Sequence, residues 1–128
     1  MKKIAVVILN YNGKSFLEKF LPNVIENTSG VAEIIVADNN STDNSVDFMR
    51  NNFPDIRLII NDFNGGFATG YNLALRQVEA DYYVLLNSDI KVTPHWIEPV
   101  IELMESDEKI AACQPKILSY HDNTKFEY

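Results

Sequence analysis

Three apolar runs punctuate this chain, and each stops abruptly at a polar residue. Ile4–Leu9 stops at Asn10, Ile34–Ala37 at Asp38, and Tyr82–Leu86 at Asn87. Unbroken apolar runs of this length are typical of strands buried on both faces of a parallel sheet. Between them lie helical patterns. Ser15-x-x-Glu18 reads as a capping box opening a helix whose apolar face is Phe16, Leu17, Phe20, Leu21, Val24 and Ile25, with a kink expected at Pro22. Ser41-Thr42-Asp43 caps a second helix running toward Asn52. Pro54 breaks the chain before a third strand, Ile56–Ile60, and Gly65-Gly66 turns it into a third helix, Phe67 to about Glu79.

The final third is less regular. Thr93-Pro94 opens a helix with Ile97, Val100, Ile101 and Met104 on one face, divided at Pro99. Ala111–Leu118 is expected to be a fifth strand, placed at a sheet edge by Pro115. Ser119–Tyr128 is a polar tail. Strands alternating with helices imply an α/β fold with an open, mainly parallel sheet flanked by helices. The last strand lacks a covering helix, which predicts self-association as a homo-oligomer through its edge.

Length and composition narrow the function. At 128 residues, 46% hydrophobic and 23% charged, the chain is one globular domain with a continuous core. Its net charge is −7, and its 11 basic residues form no run longer than Lys2-Lys3. Nucleic acid is therefore not an expected partner, because phosphate-backbone binding needs clustered Lys and Arg. Cys113 is the only cysteine, so no intrachain disulfide forms and a reducing, cytoplasmic location is expected. Its apolar surroundings, Ile110–Leu118, make it a core residue rather than a reactive thiol. The apolar run after Met1-Lys2-Lys3 is too short, and lacks the cleavage site, for a signal peptide.

The strand ends carry the candidate chemistry. In open α/β sheets, ligands bind beyond the carboxyl ends of the strands. Asn10, Asp38 and Asn87-Ser88-Asp89 gather there. A carboxylate such as Asp38 can accept a hydrogen bond from a base imide or a ribose hydroxyl, while Ser41 and Asp43 read as turn-makers and caps. Asp89, with small Ser88 beside it, can hold a hard cation such as Mg²⁺ or Mn²⁺ against a diphosphate; the plainer alternative is a turn. Asn64-Gly65-Gly66-Phe67-Ala68-Thr69-Gly70-Tyr71-Asn72 brings backbone N–H groups forward at a helix start, which suits an anion. It is neither a P-loop nor a dinucleotide fingerprint. Asn12-Gly13 alone reads as a tight turn, with Tyr11 at the crevice able to pack on a base. His95 and His121 lack metal-ligand spacing, and Trp96 reads as core.

In order and spacing, four segments resemble the inverting family 2 glycosyltransferases with the glycosyltransferase-A fold. They are Val6–Gly13, Ile34–Asp43, Asn64–Asn72 and Tyr83–Asp89. The resemblance runs from about Ile4 to Leu118 and implies the Rossmann-like, nucleotide-diphospho-sugar-binding half of that fold. It implies base and ribose contacts at Tyr11 and Asp38, and ribose and diphosphate contacts at Asn64, Gly65, Gly66 and Asn72. Asp89 matches the last acid of the family's Asp-x-Asp motif, which contacts metal and diphosphate, but Asn87 replaces the first acid and weakens the case for tight metal binding. This variant, with Gly66-Phe67-Ala68, is similar to the rhamnosyltransferase-like branch. That branch implies a dTDP-linked donor, UDP and GDP being the alternatives, and a saccharide or lipid-linked acceptor in cell-surface polysaccharide synthesis.

Nothing after Leu118 matches the family's catalytic base, and Glu127 has no motif around it. Residues 1–118 are thus expected to form the donor domain, with the tail 119–128 leading to an acceptor-binding segment and a base beyond Tyr128. Membrane association, at the inner face of the cytoplasmic membrane, is expected only through those parts. The rivals are a non-catalytic nucleotide-sugar-binding module, a nucleotidyltransferase and a phosphorylation-controlled receiver domain. A nucleotidyltransferase needs a basic glycine-rich loop after the first strand, where only Lys14 lies. A receiver needs an acidic pair where this chain has Asn10-Tyr11-Asn12.

Overall fold

A computed structural model describes residues 2–126. Four strands and four helices follow in the order β1 (Ile4–Asn10), α1 (Lys14–Thr28), β2 (Glu33–Asp38), α2 (Ser45–Asn52), β3 (Arg57–Ile60), α3 (Gly66–Leu75), β4 (Tyr82–Asn87) and α4 (Glu98–Ser106). All strand pairs are parallel, in the order β3-β2-β1-β4. The α/β class and parallel sheet match the expectation. A receiver-type sheet, ordered 2-1-3-4-5, does not.

The apolar runs explain the layering. Successive strand side chains point to opposite faces, so an all-apolar strand must be covered on both. Ile4, Val6 and Ile8 of β1 pack with Ile34, Val36, Leu17, Leu21, Val24 and Met49 beneath α1 and α2. Ala5, Val7 and Leu9 pack with Ile35, Ala37, Ile59, Tyr71, Ala74 and Val78 beneath α3. That second layer covers β4 only in part: Tyr71 and Val78 hydrogen-bond it, but Tyr83 and Leu85 are 42% and 53% exposed.

Several local expectations are corrected. Helix α1 starts at Lys14 after Gly13, with no side-chain cap, so Ser15 lies inside the first turn rather than capping it. The helix continues past Pro22 to Thr28. Helix α2 starts at Ser45, beyond the expected cap, although Asp43 Oδ1 still accepts the Ser45 N–H at 2.9 Å. Helix α3 ends at Leu75 rather than near Glu79, and α4 begins only at Glu98, with Pro99 in its first turn instead of splitting it. Proline fits there because first-turn N–H groups have no intrahelical acceptor.

The fifth strand does not form. Ala111–Leu118 is irregular, with one isolated antiparallel bridge between Leu118 and Phe126. Pro115 lacks the donor a ladder needs, and no strand among the described residues pairs with this segment. Cys113 is consequently exposed rather than in the core. Trp96 is half-buried against the first layer, and its Nε1 donates to Thr28 Oγ1 at 3.1 Å. Glu127 and Tyr128 lie outside the described residues.

Candidate active site at the strand ends

The sheet order decides which residues meet. The chain leaves β1 toward β2 on one side, while β4 returns on the other, so the crevice opens beyond the ends of β1, β2 and β4. Register fixes the neighbours: Asn10 opposes Asp38, and Leu9 opposes Asn87. Three polar strand ends separated in sequence thus share one edge.

Asp38 is almost wholly buried, at 1% exposure. Burying a carboxylate is costly unless its oxygens are hydrogen-bonded. Here Oδ1 accepts from Asn10 Nδ2 at 3.0 Å and Ser41 Oγ at 2.7 Å, and Oδ2 accepts from the Ser41 N–H at 2.8 Å. The carboxylate therefore organises the turn after β2 and is already engaged within the chain. Tyr11, by contrast, is half exposed at the end of β1.

Asn12 is a residue whose role the sequence concealed. Its φ of 51° is left-handed, a region asparagine tolerates better than most side chains. Its Oδ1 accepts the N–H groups of Thr42 at 2.7 Å and Asp43 at 3.1 Å, and its own N–H donates to Ser41 Oγ at 2.9 Å. The loop after β1 is thereby stapled to the loop after β2. Gly13 permits this approach: a Cβ there would lie 2.4 Å from Asn10 Oδ1 and 3.1 Å from Ser88 Oγ.

The glycine segment opens α3. Gly66 has φ 87° and Asn64, Gly65 and Gly66 are all exposed, so their backbone is accessible at the helix start. Asn64 does not point freely outward, since its Oδ1 accepts from Asn39 Nδ2 at 2.8 Å and from the Gly66 N–H at 2.9 Å. Asn72 is exposed further along α3.

Asn87 and Asp89 are both exposed at the end of β4. The Tyr71 hydroxyl reaches this end, donating to Leu86 O at 3.0 Å and lying 3.4 Å from Asn87 Oδ1. Burial pushes the Tyr71 hydroxyl up to about 12. The ion pairs among the described residues, Arg57–Glu33, His95–Glu98 and Lys125–Asp122, do not involve Asp89. No group of three or more His, Cys, Asp or Glu side chains able to hold a metal occurs among them. What fits a hard cation is an exposed carboxylate beside an exposed amide oxygen, with the remaining coordination left to a ligand. His95 is exposed and paired to Glu98 at 2.7 Å, and His121 lies edge-on to Tyr120, both apart from these strand ends in the sequence. No helix among the described residues is long and apolar enough to cross a membrane.

Known proteins resemble this chain in sequence and in fold. Residues 5–127 match the family model for glycosyl transferase family 2. An uncharacterized glycosyltransferase of Haemophilus influenzae is 26% identical over 112 residues, covering 85% of this chain and 35% of its own. An N-acetylglucosaminyl-diphospho-decaprenol L-rhamnosyltransferase of Mycobacterium tuberculosis is 24% identical over 125 residues, covering 89% of this chain and 41% of its own. The mannosyltransferase PcManGT of Pyrobaculum calidifontis, solved with GDP-Man and Mn²⁺, superposes with a TM-score of 0.70 at 21% identity, over 91% of this chain and 34% of its own. The chain thus spans about a third of the length of the first curated relatives it matches. With the family model matched along nearly its whole length and the same fold in a solved transferase, this chain belongs to glycosyl transferase family 2.

Proposed function

We propose that this chain is the donor-binding part of a nucleotide-sugar-dependent glycosyltransferase that transfers its sugar with inversion. The observation that carries the reading is the convergence of Asn10, Asp38 and Asn87 on one sheet edge, between the glycine-opened start of α3 and the exposed carboxylate of Asp89. Tyr11 packs against the base, and Asp38 holds the turn against which base and ribose sit. Asn64, Gly65, Gly66 and Asn72 line the ribose and diphosphate, where backbone N–H groups meet anionic oxygens.

Asp89, with Asn87 beside it, would hold a divalent cation. When bound, Mg²⁺ or Mn²⁺ neutralises charge on the departing diphosphate, an effect worth several kcal/mol. The general base that takes the proton from the acceptor hydroxyl, typically worth ~10²–10⁴-fold, is proposed to come from outside these 128 residues. The chain's span of about a third of its relatives supports that division. Asn87-Ser88-Asp89 and the resemblance to the mycobacterial rhamnosyltransferase favour a dTDP-linked deoxysugar and a lipid-linked saccharide acceptor in polysaccharide synthesis.

Calorimetric titration with UDP, dTDP and GDP, each with and without Mn²⁺, tests the proposal. One nucleotide should bind near micromolar, about −8 kcal/mol, and the Asp89→Ala variant should bind it more weakly. No heat from any of the three would remove the donor-site reading. Sugar transfer to an acceptor by this chain alone would overturn the assignment of the base to another segment.

A further inference from the structure

Two buried amides at the crevice have no part in the roles assigned above. Asn39 and Asn61, 2% and 3% exposed, each follow the last residue of a strand. Their backbone N–H groups extend the ladder one step past the sheet, Asn39 donating to Asn10 O and Asn61 to Asp38 O, both at 2.8 Å. Asn61 Nδ2 donates to Asn39 Oδ1 at 3.1 Å and to Gly70 O at 3.2 Å. Asn39 Nδ2 then donates to Asn64 Oδ1 at 2.8 Å and to Gly66 O at 3.3 Å. Asn64 Oδ1 receives the Gly66 N–H. One hydrogen-bonded line thus runs from β3, across β2, to the first turn of α3.

The amide of Asn39 has one workable orientation. Turned over, it would set its nitrogen against the Asn61 nitrogen and its oxygen against the Asn64 oxygen. Gly70 closes the space behind it, since a Cβ there would lie 3.0 Å from both Asn39 Nδ2 and Oδ1. Its donors and its acceptor are therefore all committed, and two of the three bonds reach the Asn64–Gly66 loop.

We infer that Asn39 is a positioning residue that ties the Asn64-Gly65-Gly66 loop to the sheet beside Asp38 and thereby sets nucleotide affinity. The inference rests on the donor-binding reading above. Two consecutive glycines leave this loop with more backbone freedom to lose than any other residue pair. A loop already held in its binding shape does not lose that freedom when a ligand arrives, so affinity rises without a new contact. Asn39 acts here on the diphosphate through Asn64 and Gly66, not by touching it.

The test pairs hydrogen exchange of the chain without ligand with calorimetric titration of UDP, dTDP and GDP in Mn²⁺. Asn39→Asp keeps the acceptor for Asn61 but replaces the donor to Asn64. Asn39→Ala removes both, and Asn64→Ala cuts the same bond, with that from the Gly66 N–H, at an exposed position; since Asn64 is itself assigned to the ribose and diphosphate, that variant is read by exchange alone. Faster exchange confined to residues 64–70, with nucleotide binding weaker on the order of tenfold, supports the inference. Because the two variants share the Asn39–Asn64 bond while each also removes its own bond to Gly66, the Asn39→Asp/Asn64→Ala double variant should loosen the loop by less than the sum of the two single changes. Unchanged exchange in the loop overturns the tether whatever the titrations give. Faster exchange with unchanged affinity overturns the positioning role, as does uniform acceleration across the sheet, which marks Asn39 as merely structural. A parent chain that binds none of the nucleotides, while its loop still responds to Asn39, removes the donor reading and leaves the tether without a role in affinity.

Discussion

Asn23 of α1 and Val92, 69 residues apart, exchange two hydrogen bonds: Asn23 Nδ2 donates to Val92 O at 3.0 Å, and Val92 N–H donates to Asn23 Oδ1 at 2.7 Å. This amide bridge fixes the segment that leaves Asp89, because Val92 is also buried in the first layer. Replacing Asn23 with Ala strips both bonds and leaves the partly buried Val92 N–H without its acceptor. The expected loss is about 1–3 kcal/mol of unfolding free energy, measured by urea denaturation. A loss within experimental error would show that water takes over both bonds.

Asp89→Ala should behave in the opposite way. The side chain is exposed and outside the ion pairs of the described residues, so its removal should leave stability within about 0.5 kcal/mol. Mn²⁺-dependent nucleotide binding should fall while Mn²⁺-independent binding is kept. Equal loss in both conditions would detach Asp89 from the cation and make it a direct ligand contact or a structural residue.

Gly13→Ala is expected to destabilise although φ at this position is an ordinary −108°. The added Cβ would stand 2.4 Å from Asn10 Oδ1, inside a buried amide that also bonds Asp38. Overpacking of this kind costs roughly 1–3 kcal/mol. Thermal melting of Gly13→Ala against Gly13→Ser should show both lowered. An unchanged midpoint would mean that Asn10 moves without cost.

Tyr71 supplies a pH prediction. Burial raises its hydroxyl from an ordinary 10.0 to about 12. A phenol held neutral by folding contributes stability that is complete below pH 10 and is lost as pH climbs through 12. The melting temperature should therefore decline between those values, and Tyr71→Phe should decline less steeply over the same window. Parallel curves for the two proteins would assign the alkaline limb to other groups.

β1 and β2 were legible because burial on both faces leaves an unmistakable signature. β1, β2 and β4 each contain one of the three apolar runs and end at the polar residue that stops it. Helix starts were harder, because their stabilising partners come from elsewhere in the fold. Ser15 looked like a cap, yet α1 opens on Gly13 and Lys14, while Asn12, which looked like half of an ordinary turn, serves the loop after β2. Asn39 and Asn61 escaped notice for the same reason. Asparagines after strands are common turn-formers, and only the sheet order shows that these two stand side by side. The segment around Cys113 misled through composition, since an apolar stretch becomes a strand only where a neighbour offers a ladder.

The unequal support of the strands has a mechanical consequence. β1 and β2 each have hydrogen-bonded neighbours on both sides, so Asn10 and Asp38 stand on the stiff centre of the sheet. β4, which carries Asn87 and leads into Asp89, pairs with β1 alone among the described residues, and its Tyr83, Leu85 and Asn87 are exposed. Local opening is cheapest where buried contacts are fewest. Among the described residues the crevice is thus braced unequally: the edge bearing Asp38 is clamped between neighbours, and the edge bearing Asp89 hangs from β1 and from the Asn23–Val92 bridge.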